Sequence, residues 1–289
     1  MKYLVFLLAI IFVVSCGTET EDQPPSSEGS STPTLKQVWE TDTLLRTPES
    51  VLFDPEREVI YVANVNMNPW EKDGNGFLSK LDLAGNILEL EWITGLSGPK
   101  GMGIRGNSLF VADIDEVVEV DLETATIVNH YVVADTPTLN DISVYQNEVY
   151  VTGSNSNKLF ELKDGALSIV LEGDLGRPNG VFAEGDRILM ITSNSSELKS
   201  IDKASKEQTF LVDSLGHGDG IVPVGNGDYL ASSWRGEVFH ISSDWKRTQL
   251  LDTQEANINA ADIEYIQEQN LLLVPTFFDN RVVAYRVEK

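Results

Sequence analysis

Four positions scattered over 170 residues carry the side chains with the most evident chemistry: Glu49, Asn140, Asn179 and Asp219. Two carboxylates and two amide carbonyls make an oxygen-only donor set. Such a set suits Ca²⁺ or another divalent cation, which accepts about 6–8 oxygens with loose geometry and completes its shell with water. The single cysteine, Cys16, and the three widely separated histidines offer no zinc spacing. A cation held by these oxygens would polarise an ester or lactone carbonyl, and a neighbouring carboxylate would activate water. Asp219 fits the base role. His217, two residues earlier, is an alternative proton shuttle because imidazole titrates near neutrality, or else a loop histidine in the turn Gly216-His217-Gly218. No Gly-x-Ser-x-Gly elbow occurs, which argues against a serine hydrolase.

Bringing such distant residues together requires a repeating architecture, and the chain contains one. A strand motif returns six times, as Tyr61-Val62-Ala63-Asn64, Phe110-Val111-Ala112-Asp113, Tyr150-Val151-Thr152-Gly153, Met190-Ile191-Thr192-Ser193, Tyr229-Leu230-Ala231-Ser232 and Leu273-Val274-Pro275-Thr276. Counted from the second residue of each, the steps are 49, 40, 40, 39 and 44. A period of roughly 40–45 residues is that of a propeller blade with four short strands. The expected fold is an all-β, six-bladed propeller over residues 35–289, each blade a four-stranded antiparallel sheet. Leu35 to Trp39 reads as the outer strand of the last blade, closing the ring and removing an open edge.

Aligned on this repeat, the entries to the first strands read Pro48-Glu49, Pro99-Lys100, Asn140-Asp141, Pro178-Asn179-Gly180, Gly218-Asp219-Gly220 and Ala261-Asp262. All should converge on the central axis. Lys100 complicates a cation site unless an acid takes it up, with Asp262 the expected partner. The other outcome is a metal-free ring of ion pairs. Lys100, Asp141 and the pair Trp234-Arg235 are candidates for substrate contact. Arg235 could fork onto an anionic group or serve in an inter-blade salt bridge. The first blade carries an extra segment, Val65 to Gly76, with Met67, Pro69 and Trp70. Strand alternation sends that loop to the face bearing the axial entries, where long loops are often functional.

With these motifs in place, the chain resembles the senescence-marker-protein/gluconolactonase family, with paraoxonases and phosphotriesterase propellers as more distant relatives. The resemblance rests on Glu49, Asn140-Asp141, Pro178-Asn179-Gly180 and Asp219-Gly220. It implies one axial divalent cation ligated by Glu49, Asn179 and Asp219. Asn140 would bind metal or substrate, and Asp219 would be the base. The first blade has Pro48-Glu49-Ser50 where the family favours Glu-Gly-Pro. The third lacks an Arg before its Asn and a Gly after its Asp. The expected activity is Ca²⁺-dependent hydrolysis of a lactone or sugar-acid ester. The alternative is a non-catalytic, NHL-like propeller that binds a glycan or a protein.

A net charge of -24 repels phosphate backbones and excludes nucleic acid as a natural partner. The N-terminus adds an address. Lys2 precedes an apolar run from Tyr3 to Val14, shorter than the ~20 residues that span a bilayer. Val13-Val14-Ser15-Cys16 then resembles a bacterial lipobox. It implies a signal peptide over 1–15, lipidation of Cys16 and a membrane partner through that lipid. Residues 16–34 read as an unstructured tether. The expected location is the bacterial cell envelope, lipid-anchored at the outer membrane on its periplasmic or surface side.

Overall fold

The computed structural model describes Met1, residues 32–134 and residues 138–288. The expected signal peptide, Cys16 and the expected tether up to residue 31 lie outside the described residues. Six four-stranded antiparallel sheets are arranged as the blades of a propeller. The innermost strands are Pro48–Asp54, Pro99–Arg105, Leu139–Tyr145, Pro178–Glu184, Gly218–Gly225 and the short Glu264–Ile266. The recurring motif forms the second strands, Val59–Asn64, Ser108–Asp113, Glu148–Gly153, Arg187–Thr192, Asp228–Ser233 and Leu271–Pro275. These strands have blades packed on both faces, so they read as nearly unbroken apolar runs instead of alternating ones.

The blades are held by apolar layers between neighbours. Tyr61, Leu78 and Trp92 of the first blade pack with Met102, Leu109 and Val111 of the second. Tyr61 and Trp92 stack at 4.9 Å between ring centroids, an arrangement worth ~1 kcal/mol beyond its buried area. Ring closure follows the same logic. Thr34–Glu40 pairs antiparallel with Val282–Glu288 as the outer strand of the sixth blade. Ile60, Val62 and Leu81 of blade one pack on Ile266, Leu271 and Leu273 of blade six. On the inside of the ring, the Asp262 amide donates to the Glu49 carbonyl at 2.9 Å. Among the described residues no helix is long and apolar enough to cross a membrane.

Two local devices aim side chains at the axis. Five innermost strands break register where they begin, between Pro48 and Ser50, Pro99 and Met102, Leu139 and Ile142, Pro178 and Val181, and Gly218 and Ile221. Bulges of this kind end the pairing and re-aim a residue. Just before three of them, Thr47, Thr138 and Arg177 take left-handed backbone conformations, at φ 46°, 52° and 60°. The Thr47 and Arg177 amides are caught by Asn280 Oδ1 and Asn157 Oδ1, each at 2.8 Å. The asparagines thereby hold a conformation that costs a non-glycine residue about 1–2 kcal/mol.

Candidate functional site

A cavity of about 300 Å³ sits where the innermost strands begin. Glu49, Lys100, Asn140, Asn179, His217, Asp219 and Trp234 line it, so seven of the nine axial candidates meet in one place. The remaining two do not. Asp141 turns away, its Oδ1 accepting from the Ile142 amide at 2.6 Å and its Oδ2 from the Val181 amide at 2.7 Å. It pins blade three to blade four. Arg235 is exposed and lies outside the cavity wall. The cavity also takes in Pro69 and Trp70 from the long loop of blade one, Arg177, Phe277 and Phe278. The loop does overhang the axial face. Its Lys72 reaches Asp115 of blade two at 2.8 Å, and Trp70 stands over Lys100 Nζ at 4.3 Å.

The donor set has a specific electrostatic state. Glu49 Oε2, Asn179 Oδ1 and Asp219 Oδ1 are buried acceptors without a hydrogen-bond partner. Such groups are rare in folded proteins because each forfeits its hydration. Burial raises the Glu49 carboxyl well above the usual carboxylate range, and Asp219 raises it further. Asp219 is also raised, by burial and then by Asp262, with Arg177 opposing. The Asn179 amide nitrogen donates to the Gly218 carbonyl at 3.2 Å, which fixes which end of that side chain is the acceptor. Three uncompensated oxygens from blades one, four and five therefore share a small cavity. A divalent cation fits that deficit. Among the described residues no three His, Cys, Asp or Glu side chains group as a metal site. The axial set is two carboxylates supplemented by amide oxygen.

Lys100 does not form the expected ion pair with Asp262. Its Nζ donates to the carbonyls of Gly98 at 2.7 Å and Pro69 at 2.9 Å. Burial lowers its pKa to about 8 against the attraction of Glu49 and Asp113. Asp262 instead accepts from Ser50 Oγ at 2.6 Å. The reason is strand parity. Neighbouring residues on a strand point to opposite sides. In blade six the residue in register with Glu49 and Asp219 is Ala261, so Asp262 falls on the other side, as Asp141 does in blade three. The ring of ion pairs is therefore absent. His217 is half-buried beside Arg177, its Nε2 3.4 Å from Arg177 Nη1. Burial and then Arg177 lower its pKa, so the ring is neutral at pH 7.

Asp141 and Asp262 belong to a second cavity of about 520 Å³ on the other side of this ring, with Glu264 and a wall of mixed apolar and polar residues. Glu264 accepts from the Tyr265 amide at 2.8 Å. Burial nevertheless raises its pKa from 4.5 to about 7. The folded chain thus holds this proton more tightly than the unfolded chain. Stability from this group is full below about pH 4.5 and declines as pH rises towards 7. Glu264→Gln should therefore stabilise the protein at pH 8 by about 1–3 kcal/mol and leave it nearly unchanged at pH 4. Thermal unfolding at both pH values checks this, and equal shifts would contradict it.

Arg177, Phe277 and the backbone clamp on Lys100 were not legible beforehand. A residue ahead of Pro178 offers no periodic signal. Its αL conformation, which aims the guanidinium inward, depends on Asn157 from the preceding blade.

No family model matches the chain, and no curated protein sequence matches it. Solved structures do. A streptogramin B lyase matches with TM-score 0.66 at 14% identity, over 89% of this chain and 98% of that one. A virginiamycin B lyase from Staphylococcus aureus matches with TM-score 0.66 at 11% identity, over 88% and 99%. An auxiliary nutrient binding protein from Bacteroides ovatus matches with TM-score 0.64 at 11% identity, over 86% and 70%. At these identities the likeness is one of fold, and it spans enzymes and a binding protein alike.

Proposed function

We propose that this propeller is a divalent-cation-dependent hydrolase of a small lactone or sugar-acid ester, akin to the senescence-marker-protein/gluconolactonase propellers. The observation that carries the reading is the trio of buried, unpartnered oxygens on Glu49, Asn179 and Asp219 facing one cavity. Those residues would hold the cation, with Asn140 beside them as a further ligand or a substrate contact. A bound Ca²⁺ would supply Lewis acidity at the scissile carbonyl. Asp219 is the carboxylate placed to accept the proton of the attacking water. His217, with Arg177 against its Nε2, serves to orient Arg177. Trp70, Trp234, Phe277 and Phe278 wall the cavity and keep bulk water from the reacting carbonyl. With Cys16 as a lipidated terminus, the enzyme would work at the bacterial envelope, tethered to the outer membrane.

The same aromatic walls favour a second reading, in which the cavity retains a glycan without turnover. Calcium titration of the purified full chain, read by thermal unfolding and by lactone hydrolysis, separates the two. A cation at 100 times its dissociation constant adds about 2.7 kcal/mol, or about 5–10 °C at this size. The hydrolase reading expects that shift together with chelator-sensitive turnover. A shift with ligand binding but no turnover would leave the binding reading. No shift with any divalent cation would remove the hydrolase.

A further inference from the structure

Arg177 is an unpaired cation in a strongly acidic molecule. The chain has 45 acidic against 21 basic residues, yet no carboxylate stands within 4.0 Å of this guanidinium among the described residues. Its partners are neutral. Nε donates to Asn155 Oδ1 at 3.1 Å, Nη1 donates to Ser193 Oγ at 3.1 Å, and His217 Nε2 lies at 3.4 Å. Those contacts engage Nε and Nη1 and fix the direction of the group. Among the described residues Nη2 is the guanidinium nitrogen left without a bond. The backbone beneath is equally committed. It holds φ at 60° immediately before Pro178, a place where both the left-handed conformation and the following proline restrict the chain. Asn157 Oδ1 takes the Arg177 amide, while the Ser193 amide donates to its carbonyl at 3.0 Å.

Asp219 feels this charge only through space, and so much positioning of a cation that forms no internal ion pair calls for an external partner. From these contacts we infer that Arg177 is the receptor for an anionic group, a carboxylate, on the ligand that occupies the axial cavity. This rests on the cavity being the ligand site and narrows its substrate class to carboxylate-bearing lactones or sugar acids. The arrangement divides the cavity by charge. Glu49, Asn179 and Asp219 bring acceptor oxygens and Arg177 brings a guanidinium donor to the wall of the same cavity. Nη2 offers its N–H groups to a carboxylate, and a charge-assisted pair in a half-buried wall is stronger than one in open water.

The experiment uses D-glucaro-1,4-lactone, which carries a free carboxylate, and D-glucono-1,4-lactone, which has a hydroxymethyl group in its place. Calorimetric affinities for both are measured on the full-length wild-type protein, Arg177→Gln and Arg177→Lys, with calcium saturating. Wild type should prefer the carboxylate lactone by about 10–100-fold. Arg177→Gln should erase that preference, and Arg177→Lys should restore part of it. The calcium-induced rise in melting temperature serves as the fold control for both variants. A wild-type protein without carboxylate preference overturns the inference, and so does a preference that survives in Arg177→Gln. Because the readout is binding, loss of the hydrolase reading through absent turnover is seen separately from loss of this one.

Discussion

Replacing Asp219 by asparagine is expected to change stability in opposite directions depending on whether calcium is present. Without the cation, the buried carboxylates of Glu49 and Asp219 repel each other and each keeps one oxygen without a hydrogen bond. A neutral amide of the same shape relieves that repulsion, so Asp219→Asn should be more stable than wild type in chelator by about 1–2 kcal/mol. With calcium the order reverses. The variant loses one of two charged ligands, and affinity set by ligand charge should fall by about 100-fold or more. Lactone turnover should fall by about 10²–10⁴-fold, the usual contribution of a positioned base. Melting curves of both proteins across a calcium titration would cross if the carboxylates are kept for a cation. Such crossing is the signature of a site that spends stability on function. A variant less stable than wild type in chelator, with undiminished calcium response, would mean that Asp219 is an ordinary structural acid.

The fold was legible because the second strand of each blade is covered on both faces. Burial on two sides demands an apolar run, and six such runs at blade spacing leave few alternatives to a closed ring. The axial position was legible for a related reason: four of the six innermost strands open at Pro or Gly, so Glu49, Asn179 and Asp219 could be aligned without coordinates. What failed was parity at single-residue resolution. Asp262 aligned with the ring by sequence, yet Ala261 occupies the register that faces the cavity. Asp141 beside Asn140 was misplaced in the same way. A bulge decides which of two adjacent residues faces inward, and bulges leave no reliable trace in composition. Arg177 escaped because its placement is made by partners in turns distant in sequence, Asn155, Asn157 and Ser193, and not by its own neighbours in the chain.

The parity of the inner ring also explains its glycines and leads to the largest expected loss of stability. Gly101 and Gly180 flank Asp141, while Gly220 and Ser50 flank Asp262 around the ring, so two small residues separate the carboxylates at this level. A Cβ on Gly101 would meet Asp141 Oδ1 at 2.2 Å, and one on Gly220 would meet Asp262 Oδ1 at 2.4 Å. Gly180 is the tightest. A Cβ there would stand 2.0 Å from the backbone carbonyl oxygen of Asp219 and 2.8 Å from Ile191 Cγ2. Backbone cannot swing aside as a side chain can, so blades four and five would have to separate. That movement would strain the Asn179 bond to the Gly218 carbonyl and the Thr152 Oγ1 bond to the Asn179 carbonyl, at 3.2 Å and 2.6 Å. Gly180→Ala should therefore cost about 3–5 kcal/mol and abolish the calcium response with it. Gly95→Ala is the control. Gly95 has φ 84° but nothing within 4 Å of its added Cβ, so it should lose only the ~1–2 kcal/mol of a left-handed conformation. Denaturant unfolding of the two variants distinguishes close approach from backbone preference. Equal losses would mean that the inner strands can separate freely, and the argument for a rigid oxygen ring at their entrance would fail with them.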